Sequence, residues 1–184
     1  MRSLVVVVIF LCLVTTAHAQ SATGIYAGVS EEGWFPHGRL AEMFSHKDNG
    51  AQFSLIIGAR WKFLAIEAWD SPAMQSGISV WGLDAKLLLP LGRYMSTYAR
   101  LRLGHMTVDL DPYETDDHPL SGFGGGEAVG FQANLPARLF GTWGAFLEFG
   151  HERYELGLDD GHGVYPKAEG FWHYAYGVTW GTAF

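Results

Sequence analysis

The stretch Phe171-Trp172-His173-Tyr174-Ala175-Tyr176-Gly177-Val178-Thr179-Trp180-Gly181-Thr182-Ala183-Phe184 decides the reading of this chain. Its odd and even positions differ in kind. Trp172, Tyr174, Tyr176, Val178, Trp180, Thr182 and Phe184 fall on one face, and His173, Ala175, Gly177, Thr179, Gly181 and Ala183, after Phe171, on the other. Side chains of a strand point alternately to its two faces, so a period of two with large groups on one side marks a β-strand. In a water-soluble barrel the large groups would turn inward. In a narrow membrane barrel they would face lipid and the small ones the lumen.

The alternation recurs upstream. Phe53, Leu55, Ile57 and Ala59 alternate with Gln52, Ser54, Ile56 and Gly58, and Leu64, Ile66 and Ala68 alternate with Ala65, Glu67 and Trp69. Trp81, Leu83, Ala85, Leu87 and Leu89 are set against Val80, Gly82, Asp84, Lys86 and Leu88. Ala99, Leu101 and Leu103 are set against Tyr98, Arg100, Arg102 and Gly104, and Ala145, Leu147 and Phe149 against Phe146, Glu148 and Gly150. Charges collect on one face and aliphatic groups on the other. Eight strands are predicted, at 23–32, 50–61, 63–71, 77–89, 94–107, 123–135, 141–156 and 169–184. Glu127 falls in phase with Val129 and Phe131, so either it lies above the apolar band or a bulge changes the phase there. The connections 33–49, 72–76, 108–122 and 157–168 are long or polar, whereas those near Trp61-Lys62, Pro90–Arg93 and Pro136–Phe140 are short. Four long loops and three short turns fit an up-and-down barrel with both chain ends on the side of the turns.

The amino-terminus supplies the compartment. A basic start, Met1-Arg2-Ser3, precedes the apolar run Leu4–Val14 and the small-x-small site Ala17-His18-Ala19. That order marks a signal peptide, residues 1–19, with residues 20–184 as the barrel domain. The single cysteine, Cys12, lies in the signal, so no disulfide is expected in the remainder. All 24 glycines and all aromatics but Phe10 lie after the signal, a composition that disfavours helices and suits strands. The formal net charge of −7 argues against nucleic acid as a partner. No later stretch is apolar for long enough to form a membrane helix. A membrane protein without helices must be a closed barrel, because open sheet edges stay unpaired in lipid.

This constellation resembles the small OmpA/OmpX-type outer-membrane β-barrel superfamily. The stretch FGGGEAVGFQANLPARLFGTWGAFLEFGHERYEL, residues 123–156, is similar to the family's glycine-rich strand, short periplasmic turn and following strand with inward acids. Tyr176, Val178, Trp180 and Phe184 match the family's carboxy-terminal assembly signal, and Thr182 departs from it. The resemblance implies location in the bacterial outer membrane. It also implies outer-membrane lipid, lipopolysaccharide and the barrel-assembly machinery as partners. The function it implies is structural, or surface interaction through the outer loops. A barrel of about eight strands has room for side chains but hardly for a channel, so no open pore is expected, and without a cofactor motif no cofactor is expected.

The chemistry of the inward face is ionic. Glu67, Asp84, Lys86, Arg100, Arg102, Glu148 and Glu152 are expected in the lumen, where buried charges must pair. A lipid A deacylase-like enzyme is the first alternative, with His151 near the outer end of the seventh strand. The serine expected two residues on is Arg153, and Ser121 has only His118 near it. Metal binding has weak candidates in the acidic loop, Asp109, Asp111, Asp116 and Asp117, without the spacing of a calcium hand. Loops 33–49, with Trp34 and Phe35, and 108–122 are the expected contacts for an external ligand. A second alternative is a soluble calycin-like barrel holding an apolar ligand. It inverts the faces, so the direction of Leu83, Leu101, Leu147 and Trp180 distinguishes it. Trp61, Trp81, Trp143 and Trp172, near strand ends, read as interface girdles.

Overall fold

A computed structural model describes residues 23–36, 52–72, 77–108, 120–137, 141–158 and 167–182. They form eight antiparallel strands: β1 (Thr23–Pro36), β2 (Gln52–Trp61), β3 (Leu64–Ser71), β4 (Ile78–Pro90), β5 (Met95–Val108), β6 (Leu120–Ala137), β7 (Gly141–Leu158) and β8 (Lys167–Gly181). Each strand pairs with its sequence neighbours, and β8 closes on β1, so the sheet is a barrel without free edges. The expected signal peptide, residues 1–19, and Phe184 lie outside the described residues.

The predicted faces hold on every strand. Leu83, Leu101, Leu147 and Trp180 point outward, at 59%, 66%, 58% and 46% exposure. Asp84, Arg100, Arg102, Glu148 and Glu152 point inward and are buried. The calycin-like inversion is therefore excluded, since the bulky apolar groups clothe the outside. Trp61 and Trp143 stand outward near the turn end, and Trp81 and Trp172 outward near the loop end.

The register fixes which inward groups meet. From Leu101 on β5 the cross-strand row runs through Glu127, His151 and Trp172 to Phe35 on β1. In the other direction it runs through Ala85, Ile66 and Ala59 to Ile25. The two arrivals lie ten residues apart on one strand, and this stagger requires strands tilted by roughly 35–45° to the barrel axis.

Several expected boundaries change. The first outer loop was placed from Gly33, but β1 continues to Pro36, because its pairing with β8 extends to Pro36↔Phe171. Trp34 thereby turns inward and stacks on Phe171 at 4.8 Å between ring centroids. β6 starts at Leu120 rather than 123 and ends at Ala137, so the third outer loop begins after Val108 and is shorter than 108–122. No bulge shifts the phase at Glu127, whose pairings to β5 and β7 keep one register along the strand. Its carboxylate is exposed on the outward face, between Leu101 and His151.

Candidate functional site: the ionic interior of the barrel

Three adjacent strands divide the work. β5 presents Tyr98, Arg100 and Arg102 inward, β7 presents Glu148, Gly150 and Glu152, and β6 lies between them with Gly126, Ala128 and Gly130. Each cross-strand row therefore sets long polar side chains on either side of small residues: Arg102–Gly126–Glu152, Arg100–Ala128–Gly150–His173, and Tyr98–Gly130–Glu148. The small residues are required by space. A Cβ on Gly126 would come within 2.8 Å of the Glu152 backbone, and one on Gly130 within 2.7 Å of the Leu147 carbonyl. Glycine weakens an isolated strand. Here it leaves room for long side chains to cross the lumen.

Arg100 is the hub. Its guanidinium lies 3.2 Å from Asp84, 2.9 Å from Glu148 and 2.8 Å from Glu152. Arg102 bonds Asp84 through Nε at 2.9 Å and Glu152 at 3.0 Å, and reaches Glu32 at 3.4 Å. It also lies over Trp69, with Cζ 3.7 Å from the ring centroid. Lys86 pairs with Glu67 at 2.7 Å, with its ammonium 4.8 Å from the Tyr98 ring and 5.0 Å from the Phe146 ring. Three tyrosines donate to the remaining carboxylate oxygens: Tyr26 to Glu67 at 2.6 Å, Tyr98 to Glu148 at 3.0 Å and Tyr154 to Glu152 at 3.0 Å. Charge-assisted bonds of this kind are the strong ones in a dry interior.

Asp84, Arg100, Arg102, Glu148 and Glu152 thus share one set of ion pairs, and the Lys86–Glu67 pair adjoins it through the Tyr98 ring. The sequence reading omitted two members. Glu32 is the last residue of the predicted first strand, and His173 lies in a row of mostly small residues. His173 is fully buried, with Nε2 at 3.0 Å from Arg100 and 3.2 Å from Glu148. The signal for both was their phase: Glu32 shares its face with Tyr26, and His173 with Thr179.

The network is sealed on the loop side. Tyr154 stacks on Phe171 at 5.8 Å, Phe171 stacks on Trp34, and Val80, Met106, Val108 and Leu156 pack with them. A cavity beside the network, lined by Ser30, Trp69 and the charged groups, measures about 10 Å³. That is room for about one water. Among the described residues the interior is packed around these ion pairs.

The outward face places the remaining candidates. His151 faces Glu127 and Trp172 across the sheet and shares its strand face with Phe149 and Arg153. The Trp172 ring meets it edge-on at 4.9 Å. Ser121 lies on β6 opposite Thr107 and Gly157, further toward the loops, so it is not brought to His151. Tyr176 donates to Glu31 on the outside of the β1–β8 seam. Asp109, Asp111, Asp116 and Asp117 lie outside the described residues, as does most of loop 33–49.

No protein-family model matches the chain, and no curated protein matches it. Among solved structures it is similar to Neisserial surface protein A (NspA), at 15% identity and a TM-score of 0.45, over 88% of this chain and 99% of that one. It is also similar to Ail, the attachment invasion locus protein of Yersinia pestis, solved with the heparin analogue sucrose octasulfate. That likeness has 13% identity and a TM-score of 0.42, over 87% of this chain and 97% of Ail.

Proposed function

We propose that this chain is an integral outer-membrane barrel whose wall and interior are structural and whose outer loops carry its interactions. One observation supports this above the others: large apolar side chains stand exposed outward on every strand of a closed sheet whose interior is packed around buried ion pairs. Only hydrocarbon stabilises that inversion, because in water so much exposed apolar surface drives aggregation. Edge closure meets the other demand of lipid, that each backbone group be paired. The small cavity beside the network fits a barrel that does not conduct. Function then falls to the connections that leave the barrel at Pro36, Val108 and Leu158, which include the acidic stretch with Asp109 and Asp111. The outer-membrane partners are lipid, lipopolysaccharide and, during insertion, the assembly machinery reading Tyr176, Val178, Trp180 and Phe184.

Fractionation and site-directed spin labels test the membrane assignment. Labels at Leu83, Leu101 and Leu147 are expected to be accessible to oxygen and shielded from a water-soluble nickel reagent. Access to the nickel reagent at all three would overturn the proposal. The role of the loops is tested by protease treatment of whole cells carrying a cleavage site inserted among residues 109–119. Cleavage from outside is the expected result, and protection would reverse the orientation.

A further inference from the structure

The outward surface is not uniformly convex. Where β8, β1, β2 and β3 adjoin, a groove of about 470 Å³ opens on the exterior. Ile25, Ile57, Ile66 and Trp180 stand along it, and Ala27 and Ala59, with the backbone of Gly58 and Gly181, form its floor. It exists because two alanines occupy outward positions among isoleucine and tryptophan side chains, leaving depth between neighbouring strands. It lies near the end of the barrel that holds the β2–β3 turn, the start of β1 and the end of β8. In the orientation proposed above that end is periplasmic.

A cation stands at the same end. Lys62 forms the tip of the β2–β3 hairpin, whose strands supply Ala59 and Ile66 to the groove. Its ammonium lies 5.1 Å from the centroid of the Trp61 ring, on the outside where Trp61 is exposed. The turn is held in place: Lys62 adopts a left-handed φ of 58°, and Arg60 Nε donates to its carbonyl at 2.8 Å. A tryptophan with a cation beside it is the arrangement of a headgroup boundary.

We infer that this groove holds one acyl chain of an anionic phospholipid of the periplasmic leaflet, with the lipid phosphate at Lys62. The inference rests on the membrane assignment proposed above and adds a lipid class and a place. A narrow concave groove with an apolar floor takes a flexible chain. The convex wall of a second barrel would touch only its rim. A cation at the same end of the barrel selects a negative headgroup, on a chain whose formal net charge, Lys62 included, is −7.

The test is native mass spectrometry of the protein released from nanodiscs of phosphatidylglycerol and phosphatidylcholine with identical chains. Folding and insertion are checked first by heat-modifiable electrophoretic migration. Wild-type protein is expected to retain one lipid, with phosphatidylglycerol enriched roughly fivefold over phosphatidylcholine, the factor one lysine supplies near such a surface. Ala59→Leu fills the floor and is expected to lose the retained lipid. Lys62→Asn, a residue that accepts the left-handed backbone, is expected to keep a lipid and lose the enrichment. Ala145→Leu, outward on β7 away from the groove, is expected to behave as wild type. Equal lipid retention by wild type and Ala59→Leu, or no enrichment in inserted wild type, overturns the inference while leaving the barrel assignment intact. Wild-type protein that does not insert at all overturns the assignment and the inference together.

Discussion

Replacing Arg100 by methionine removes the hub of the interior and makes a quantitative demand on the network. Methionine keeps much of the stem and none of the charge. The loss is unequal among the three carboxylates that Arg100 contacts. Asp84 retains Arg102 at 2.9 Å, and Glu152 retains Arg102 and the Tyr154 hydroxyl, each at 3.0 Å. Glu148 retains only the Tyr98 hydroxyl at 3.0 Å and His173 at 3.2 Å. The substitution therefore leaves one buried carboxylate without a guanidinium, and breaking a buried pair in that way costs about 3–5 kcal/mol. Glu148→Gln in the same background removes the stranded charge and is expected to restore roughly half of the loss, giving a coupling of about 1.5–3 kcal/mol in a double-mutant cycle. Glu148→Gln alone is expected to cost less than Arg100→Met, since Arg100 then keeps Asp84 and Glu152. The assay is equilibrium urea unfolding in lipid vesicles, followed by tryptophan fluorescence. Raising the salt concentration is expected to leave the coupling nearly unchanged, because buried pairs are poorly screened. Wild-type stability for Arg100→Met, or additive losses in the double variant, would refute the claim that the lumen is an interdependent ionic core.

Other outcomes follow from the same geometry. Leu101→Arg, near the middle of the outward apolar band, is expected to cost about 2–4 kcal/mol, whereas Leu135→Arg, near the turn end of β6, is expected to cost at most about 1 kcal/mol; equal losses in vesicle unfolding would contradict the placement of the band. Gly126→Val is expected to abolish the heat-modifiable folded form, because its Cβ would meet the Glu152 backbone at 2.8 Å, while Ala99→Val, on the outward face of β5, is expected to fold as wild type. Wild-type protein in planar bilayers is expected to give no stepwise conductance; discrete ion-selective steps would show that the interior opens.

Much of the barrel was legible because strand periodicity is local. Each residue's face follows from its phase, so the outward position of Leu83 and Trp180 and the inward position of Arg100 and Glu152 could be read from neighbours two residues away. The strand count followed from the spacing of turn signals. Strand ends were less legible. β1 runs past Glu32 to Pro36 because β8 offers it partners, and nothing in the composition of Gly33-Trp34-Phe35 announces that pairing. The phase ambiguity at Glu127 was settled in the same way, by an unbroken register on both sides.

The sequence by itself determined the two faces, the number of strands and the ionic character of the interior. Tertiary structure alone decided the ten-residue stagger and therefore which levels of distant strands meet. That stagger brings His173 of β8 to Arg100 of β5, and Glu32 of β1 to Arg102, across glycine and alanine positions that let long side chains span the lumen. The physical reason is that alternation along a strand is set by covalent geometry within a few residues. The stagger is set only when the last strand closes on the first, and it depends on every pairing between them.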